Sequence, residues 1–139
     1  LQIFRLAGIY SKKFNILKRL QTGKVKIVNK KDHFFSRIHV EDIANILFKS
    51  INNFKNNEIY NICDDKPASQ NEIAIYGAKL LKIDQPKPIK LEEVESKMLQ
   101  NFYKDSKKVD NTKMKNFFKY NLRFPTYIEG LDHIFNNNI

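Results

Sequence analysis

Apolar positions in this chain change their spacing several times, and each change marks an element. The run Ile3, Phe4 and Leu6 has strand character and predicts a strand over Leu1 to Leu6. Ile16, Leu17 and Leu20 then recur at helical spacing, and Gly23 suits the residue after a helix end, so a short helix is predicted from about Phe14 to Gln21. Val25 and Ile27, followed by Phe34 to Val40, read as two extended segments joined by the polar turn Asn29-Lys30-Lys31-Asp32. A second helix, Glu41 to Asn52, places Ile43, Ile46, Leu47 and Ile51 on one face, with Asp42 positioned as its N-cap.

Further on, Glu58 to Cys63 forms a strand candidate that ends in Asp64-Asp65-Lys66-Pro67, where two Asx residues and a proline favour a turn. Ser69 and Glu72 have capping-box spacing at the start of a helix through Leu81, with Ile73, Tyr76, Leu80 and Leu81 inward. Beyond the proline-broken loop Gln85-Pro86-Lys87-Pro88, Leu91 to Tyr103 reads as helical and Lys107 to Val109 as a short extended piece. Asp110 is placed to cap a helix carrying Met114, Phe117 and Phe118, and Thr126 to cap a last one carrying Ile128, Leu131 and Phe135. Strands alternating with helices predict an α/β fold, and the strands are too few for a complete doubly wound sheet.

With 139 residues, 42% of them hydrophobic, the chain suits one domain with a packed core. No apolar stretch approaches the roughly 20 residues that span a bilayer, so no membrane is expected. The net charge of +10 raises nucleic-acid binding as a reading, but the lysines are scattered, arginine occurs only four times, and no reading motif is present. A solvated basic surface is preferred, and nucleic acid is not expected as a partner. The single cysteine, Cys63, cannot form an internal disulfide and reads as a small buried hydrophobe in a reducing, cytoplasmic setting. His33, His39 and His133 are dispersed without ligand spacing, so no metal site is expected, and His39 reads as a hydrogen-bonded core histidine.

Two segments carry a resemblance. Phe4-Arg5-Leu6-Ala7-Gly8-Ile9-Tyr10 is a strand running into a loop of small residues, and Arg37-Ile38-His39-Val40-Glu41-Asp42-Ile43-Ala44 is a strand running into a helix. Together with Ile59-Tyr60-Asn61-Ile62, the stretch Phe102-Tyr103 to Val109, and the closing Leu122-Arg123-Phe124-Pro125-Thr126-Tyr127-Ile128-Glu129-Gly130-Leu131, they resemble in order the C-terminal half of extended and atypical short-chain dehydrogenases, the NAD-dependent epimerase and dehydratase family. The resemblance implies a Rossmann-like fold lacking its N-terminal glycine-rich βαβ units, with residues 1–139 as the C-terminal portion of one domain. Leu1 is not a methionine and opens inside an apparent strand, which fits a truncated chain or an incomplete gene model.

By position, the resemblance gives Ala7, Gly8, Ile9 and Tyr10 a cofactor-lining role beside the nicotinamide of NAD or NADP, and places Arg37, Asn61 and Tyr103 on the substrate side. Ser11 stands where the family pattern has a final glycine, and Phe35 stands where nucleotide-sugar epimerases carry a pyrophosphate-binding arginine. Arg37 lies two residues later and, by strand alternation, on the same face, where it meets an anionic substrate group or pairs with an acidic neighbour such as Asp42. No catalytic residue is assigned: neither a Tyr-x-x-x-Lys helix nor a G-x-G-x-x-G loop is found, and both are expected upstream. This chain alone is expected neither to bind dinucleotide tightly nor to turn over. The function implied is part of an NAD(P)-dependent oxidoreductase, epimerase or dehydratase acting by hydride transfer on a small molecule such as a nucleotide sugar. The alternative is a non-catalytic NAD(P)-binding sensor or scaffold of the same fold. A homodimer is left open.

Overall fold

The computed structural model describes residues 1–138. Its frame is a ribbon, β1 (Gln2–Leu6) running through Ala7 into β2 (Gly8–Tyr10), whose two halves meet different partners. β1 lies parallel to β5 (Glu58–Ile62), with Gln2 opposite Glu58 and Leu6 opposite Ile62. β2 lies parallel to β4 (Arg37–His39), with Gly8 opposite Arg37 and Tyr10 opposite His39. At the junction the Ala7 amide donates to the Ile62 carbonyl at 3.0 Å, and the next amide, Gly8, donates to the Ser36 carbonyl at 3.2 Å. The Arg37 carbonyl in turn accepts from the Asp64 amide at 2.7 Å. β4 therefore wedges between the diverging ends of the ribbon and β5, and Ser36-Arg37 stands at the fork. The carboxyl ends of β1 and β5 open there, which is where open α/β sheets hold ligands.

Alternation along the strands sorts the side chains. Phe4, Tyr60 and Ile62 pack with Ile43 and Ile46 of α2 (Val40–Asn52) and with Met114 and Phe118 of α5 (Thr112–Phe118). The opposite face carries Ile3 and Ile59, paired in register and 41% and 38% exposed. On α2, Ile43 and Ile46 are buried while Leu47 and Ile51 remain exposed. A second core joins α1 (Ile16–Gln21), α3 (Gln70–Leu81) and α6 (Tyr127–Asn136) through Leu17, Leu20, Ile73, Ala74, Leu131 and Ile134. Gly77 leaves room for the close contact between α1 and α3, because a Cβ there would stand 2.8 Å from Leu20 Cδ1 and 3.1 Å from Leu17 Cδ2 and would force those methyls to shift. A third, smaller cluster of Val28, Val94 and Tyr103 sits under the parallel pair β3 (Ile27–Val28) and β6 (Pro88–Ile89).

Several expected boundaries shift for identifiable reasons. α1 begins at Ile16 because Asn15 caps it, its Oδ1 accepting from the Lys18 amide at 3.1 Å while its Nδ2 donates to the Ser11 and Lys12 carbonyls. Phe14, expected inside that helix, is exposed. The N-cap of α2 is His39, whose Nδ1 accepts from the Glu41 amide at 3.2 Å. Asp42 sits instead in the first helical turn, wholly buried, and accepts from the Tyr120 hydroxyl at 2.7 Å and from the Arg123 and Phe124 amides at 2.7 and 3.1 Å. It pins α2 to the segment leading into α6. The helix expected over Leu91 to Tyr103 is broken into a 3-10 turn, Leu91–Glu93, and α4 (Lys97–Phe102), because Val94 takes an extended conformation to bury its side chain in the third cluster. Ser96 then caps α4.

Lys107 to Val109 forms no strand, but it runs beside Phe34 to Ser36. The Lys107 amide donates to the Phe34 carbonyl at 2.7 Å and the Val109 amide to Ser36 Oγ at 3.0 Å. Asp110 lies one residue before the N-cap Asn111, and its Oδ1 accepts from the Thr112 amide at 2.9 Å. Ser69 and Thr126 cap α3 and α6 as expected, and Glu129 closes the box on α6. Among the described residues, no helix is long and apolar enough to cross a membrane.

Candidate functional site

The fork of strands positions three ionisable side chains close together. Arg37 leaves β4 with its guanidinium carbon 3.6 Å over the Phe35 ring, which confirms that the two share a face. Its Nη1 donates to the Phe35 and Ala68 carbonyls at 3.2 and 3.0 Å, and its Nη2 donates to Gln70 Oε1 at 3.1 Å. Burial lowers the Arg37 pKa to about 10, against the opposing charge of Asp64. Among the described residues Arg37 makes no ion pair, and Asp42, the neighbour weighed as its partner, is occupied elsewhere.

Asp64 follows β5 and is buried. Its Oδ1 accepts from the Lys66 amide at 3.1 Å, the expected turn contact, while its Oδ2 meets no partner among the described residues. Burial pushes its carboxyl up to about 7, partly offset by the Lys66 amide and by Arg37. Tyr10, at the end of β2, is also buried, and its hydroxyl is likewise without a partner. Burial, with Asp64 second, pushes the phenol far up. The Tyr10 ring packs edge-on to His39 at 5.0 Å and reaches α6 at Gly130, where no Cβ intervenes. Burial lowers the His39 pKa, which favours the neutral ring that its capping Nδ1 requires.

Two adjoining clefts open beside this fork. The first, about 300 Å³, is lined by Ile9, Tyr10, Arg37 and Tyr127 together with Lys13, Lys18 and Arg19 of the segment leading into and along α1. The second, about 600 Å³, is lined by Phe35, Phe102 and Tyr103 together with Arg19, Lys24 and Lys26. Arg19 and Gln70 border both. The first lining contains no carboxylate, and the second contains only Glu95, so both clefts favour anionic ligands.

Of the residues singled out in the sequence, Ile9, Tyr10 and Arg37 come together at the first cleft, and Tyr103 lines the second. Gly8 is exposed, and a Cβ there would meet only ordinary contacts, the nearest being the Ser36 carbonyl at 3.5 Å. Ala7 packs against the core formed by α2 and α5. Asn61 lies outside both linings, on β5 opposite Arg5, and its amide donates to the Asp110 carbonyl at 3.4 Å. Cys63 is a buried thiol, pushed up to about 12 by burial and then Asp64, and its Sγ donates to the Val109 carbonyl at 3.3 Å. Among the described residues, no group of three His, Cys, Asp or Glu side chains is placed to hold a metal ion.

Sequence reasoning missed Arg19, Gln70 and Asp64 as members of this region. Gln70 directly follows the recognised cap Ser69, but nothing in the chain signals that it reaches Arg37, which is 33 residues away.

The parallel strands, the forked ribbon and the flanking helices define the C-terminal part of a Rossmann-like epimerase and short-chain dehydrogenase fold. No protein-family model and no curated protein matches the chain. Solved structures do. A functionally unknown conserved protein from Silicibacter pomeroyi superposes with a TM-score of 0.92 at 33% identity, over 99% of this chain and 49% of that one. A dTDP-glucose 4,6-dehydratase from Bacillus anthracis in complex with NAD matches with a TM-score of 0.73 at 15% identity, over 97% of this chain and 43% of that one. A human epimerase family protein with NADPH matches with a TM-score of 0.78 at 19% identity, over 99% and 48%. The chain thus spans about half the length of the solved structures it matches.

Proposed function

We propose that residues 1–139 are the C-terminal portion of one NAD(P)-dependent epimerase- or dehydratase-like domain, the part that completes the cofactor pocket and carries the substrate side. The observation that carries this reading is the fork at Gly8 and Ser36, where an exposed glycine and the half-exposed Ile9 adjoin a cleft lined by cations. A small-residue strand end with space above it suits a flat ring, so Gly8 and Ile9 would lie against the nicotinamide, with Ala7 and Tyr10 holding the strand in place. The bound dinucleotide, NAD or NADP, would supply hydride transfer. The chain's own residues would bind and orient the substrate.

Arg37 is suited to orienting an anionic group because three of its five N–H donors are fixed by protein acceptors, leaving a positioned guanidinium beside the first cleft. Tyr103 would bound the substrate in the second cleft. Asn61 would support the substrate side through its bond to Asp110. A nucleotide sugar or related compound is the substrate class suggested by the dehydratase that shares the fold.

The test is a fluorescence titration of NADH and NADPH against the protein made from the complete reading frame, with Gly8→Val as the variant. Enhancement with at least one nucleotide, weakened by the valine, supports the reading. No enhancement with either overturns it.

A further inference from the structure

The geometry points to the second cleft as a binding site for a small amphiphilic anion: a flat aromatic or short aliphatic body bearing one carboxylate or phosphate. One side of the cleft is apolar. Phe35 and Phe102 meet edge to face at 4.6 Å, Phe102 meets Tyr103 at 5.3 Å, and Val94, Met98 and Leu99 continue the surface. Met98 is 82% exposed and Phe102 38%, so apolar side chains stand in water at its mouth. Phe35 is braced by the Arg37 guanidinium at 3.6 Å, which fixes the wall in the absence of ligand.

The other side is cationic. Arg19, Lys24 and Lys26 line it, are exposed, and make no ion pair among the described residues. A ligand made mostly of hydroxyls would find few partners here, because the Gln70 side-chain oxygen is already engaged by Arg37, the Ser96 hydroxyl already accepts from the Leu99 amide, and Glu95 is the one carboxylate in the lining. The Tyr103 hydroxyl closes the floor, 2% exposed. Among the described residues the hydroxyl has no hydrogen-bond partner, and burial pushes its pKa up against the opposing influence of the Val28 backbone. An apolar body against the aromatic wall with its charge toward Arg19, Lys24 and Lys26 satisfies both sides at once.

This inference rests on the proposed function in calling the cleft substrate-side and departs from it in the occupant, an amphiphilic anion in place of a nucleotide sugar. Thymidine diphosphate separates those two occupants. Because the test uses no dinucleotide, its failure is distinct from failure of the cofactor reading. Naphthoate, naphthyl phosphate, neutral naphthol and thymidine diphosphate are titrated into the protein made from the complete reading frame and followed by amide-resolved NMR. Both naphthyl anions should shift the Phe35, Met98 and Phe102 resonances and bind about tenfold more tightly than naphthol at low salt, with the advantage shrinking as salt rises. A preference for carboxylate or for phosphate identifies the head group, and either supports the assignment.

The double substitution Lys24→Gln and Lys26→Gln, confined to exposed side chains, should remove most of the anion's advantage and leave naphthol binding unchanged. Phe102→Ala should weaken all three naphthyl ligands about tenfold, measured on protein whose amide spectrum shows it folded, since the ring also packs against Phe35 and Tyr103. Tighter binding of thymidine diphosphate than of the naphthyl anions overturns the assignment, as do equal affinities for anion and naphthol or shifts centred away from these residues.

Discussion

Replacing Gly130 by alanine sets two effects of opposite sign against each other. In the interior of a helix, alanine is favoured over glycine by about 1 kcal/mol, so propensity alone predicts that Gly130→Ala stabilises α6. Tertiary packing predicts the reverse. A Cβ built on Gly130 overlaps Tyr10 Oη and stands 2.7 Å from Tyr10 Cε2 and Cζ, against the roughly 3.5–4.0 Å at which carbon atoms rest. The ring has little room to yield, being 8% exposed and backed by His39 at 5.0 Å, and the start of α6 is held by the Thr126–Glu129 capping box. Overpacking of this kind costs about 1–3 kcal/mol, and the severity of the overlap argues for the upper end, leaving a net loss of roughly 1–2 kcal/mol after the propensity gain. Denaturant unfolding measures this, with Tyr10→Leu as the second arm of a double-mutant cycle. With the far end of the ring gone, alanine at 130 should become neutral or stabilising. If Gly130→Ala alone raised stability by about the propensity value, the claim that Tyr10 is locked under α6 would be wrong.

Two further outcomes concern buried carboxylates. Asp42→Asn leaves one acceptor oxygen for three donors, the Tyr120 hydroxyl and the Arg123 and Phe124 amides, and should cost about 2–3 kcal/mol in urea unfolding. A loss below about 0.5 kcal/mol would show that the clamp is not structural. For Asp64 the folded pKa is raised from 3.8 to about 7, so the folded state holds the proton over that window. Its contribution is therefore fully present below pH 4 and is lost as pH rises to about 7, by at most roughly 1.4 kcal/mol per pH unit. Asp64→Asn should flatten that slope between pH 5 and 7 in parallel unfolding curves, and an unchanged difference between the two proteins across the window would remove Asp64 as its source.

Much of the fold was legible because it is written in local terms. Strand β5 follows from Glu58 to Ile62, α3 from Ser69 and Glu72, and α6 from Thr126 and Glu129, each from signals within a few residues of the element they define. The interruption of the helix expected over Leu91 to Tyr103 was not legible, because the pull on Val94 comes from Val28, far away in the chain, which Val94 meets together with Tyr103 from the end of its own segment. Asp42 was misplaced for the same reason. As an N-cap it would act on its own helix, whereas its hydrogen bonds reach residues 78 to 82 positions away. In the candidate site, Tyr10 and Arg37 were found in the sequence, but Gln70 and Arg19 were not, since only the fork of strands brings them to the same cleft wall.

The sequence by itself determined the α/β alternation, the caps Ser69 and Thr126 that begin α3 and α6, and the basic surface, since each depends on periodicity, neighbour chemistry or net charge. The tertiary structure alone decided that β4 enters between β2 and β5, that Asp64 Oδ2 and the Tyr10 hydroxyl lose water without gaining a hydrogen-bond partner among the described residues, and that two clefts share Arg19 and Gln70. Those features depend on desolvation and contact between segments tens of residues apart, and neither quantity exists until the chain has closed on itself.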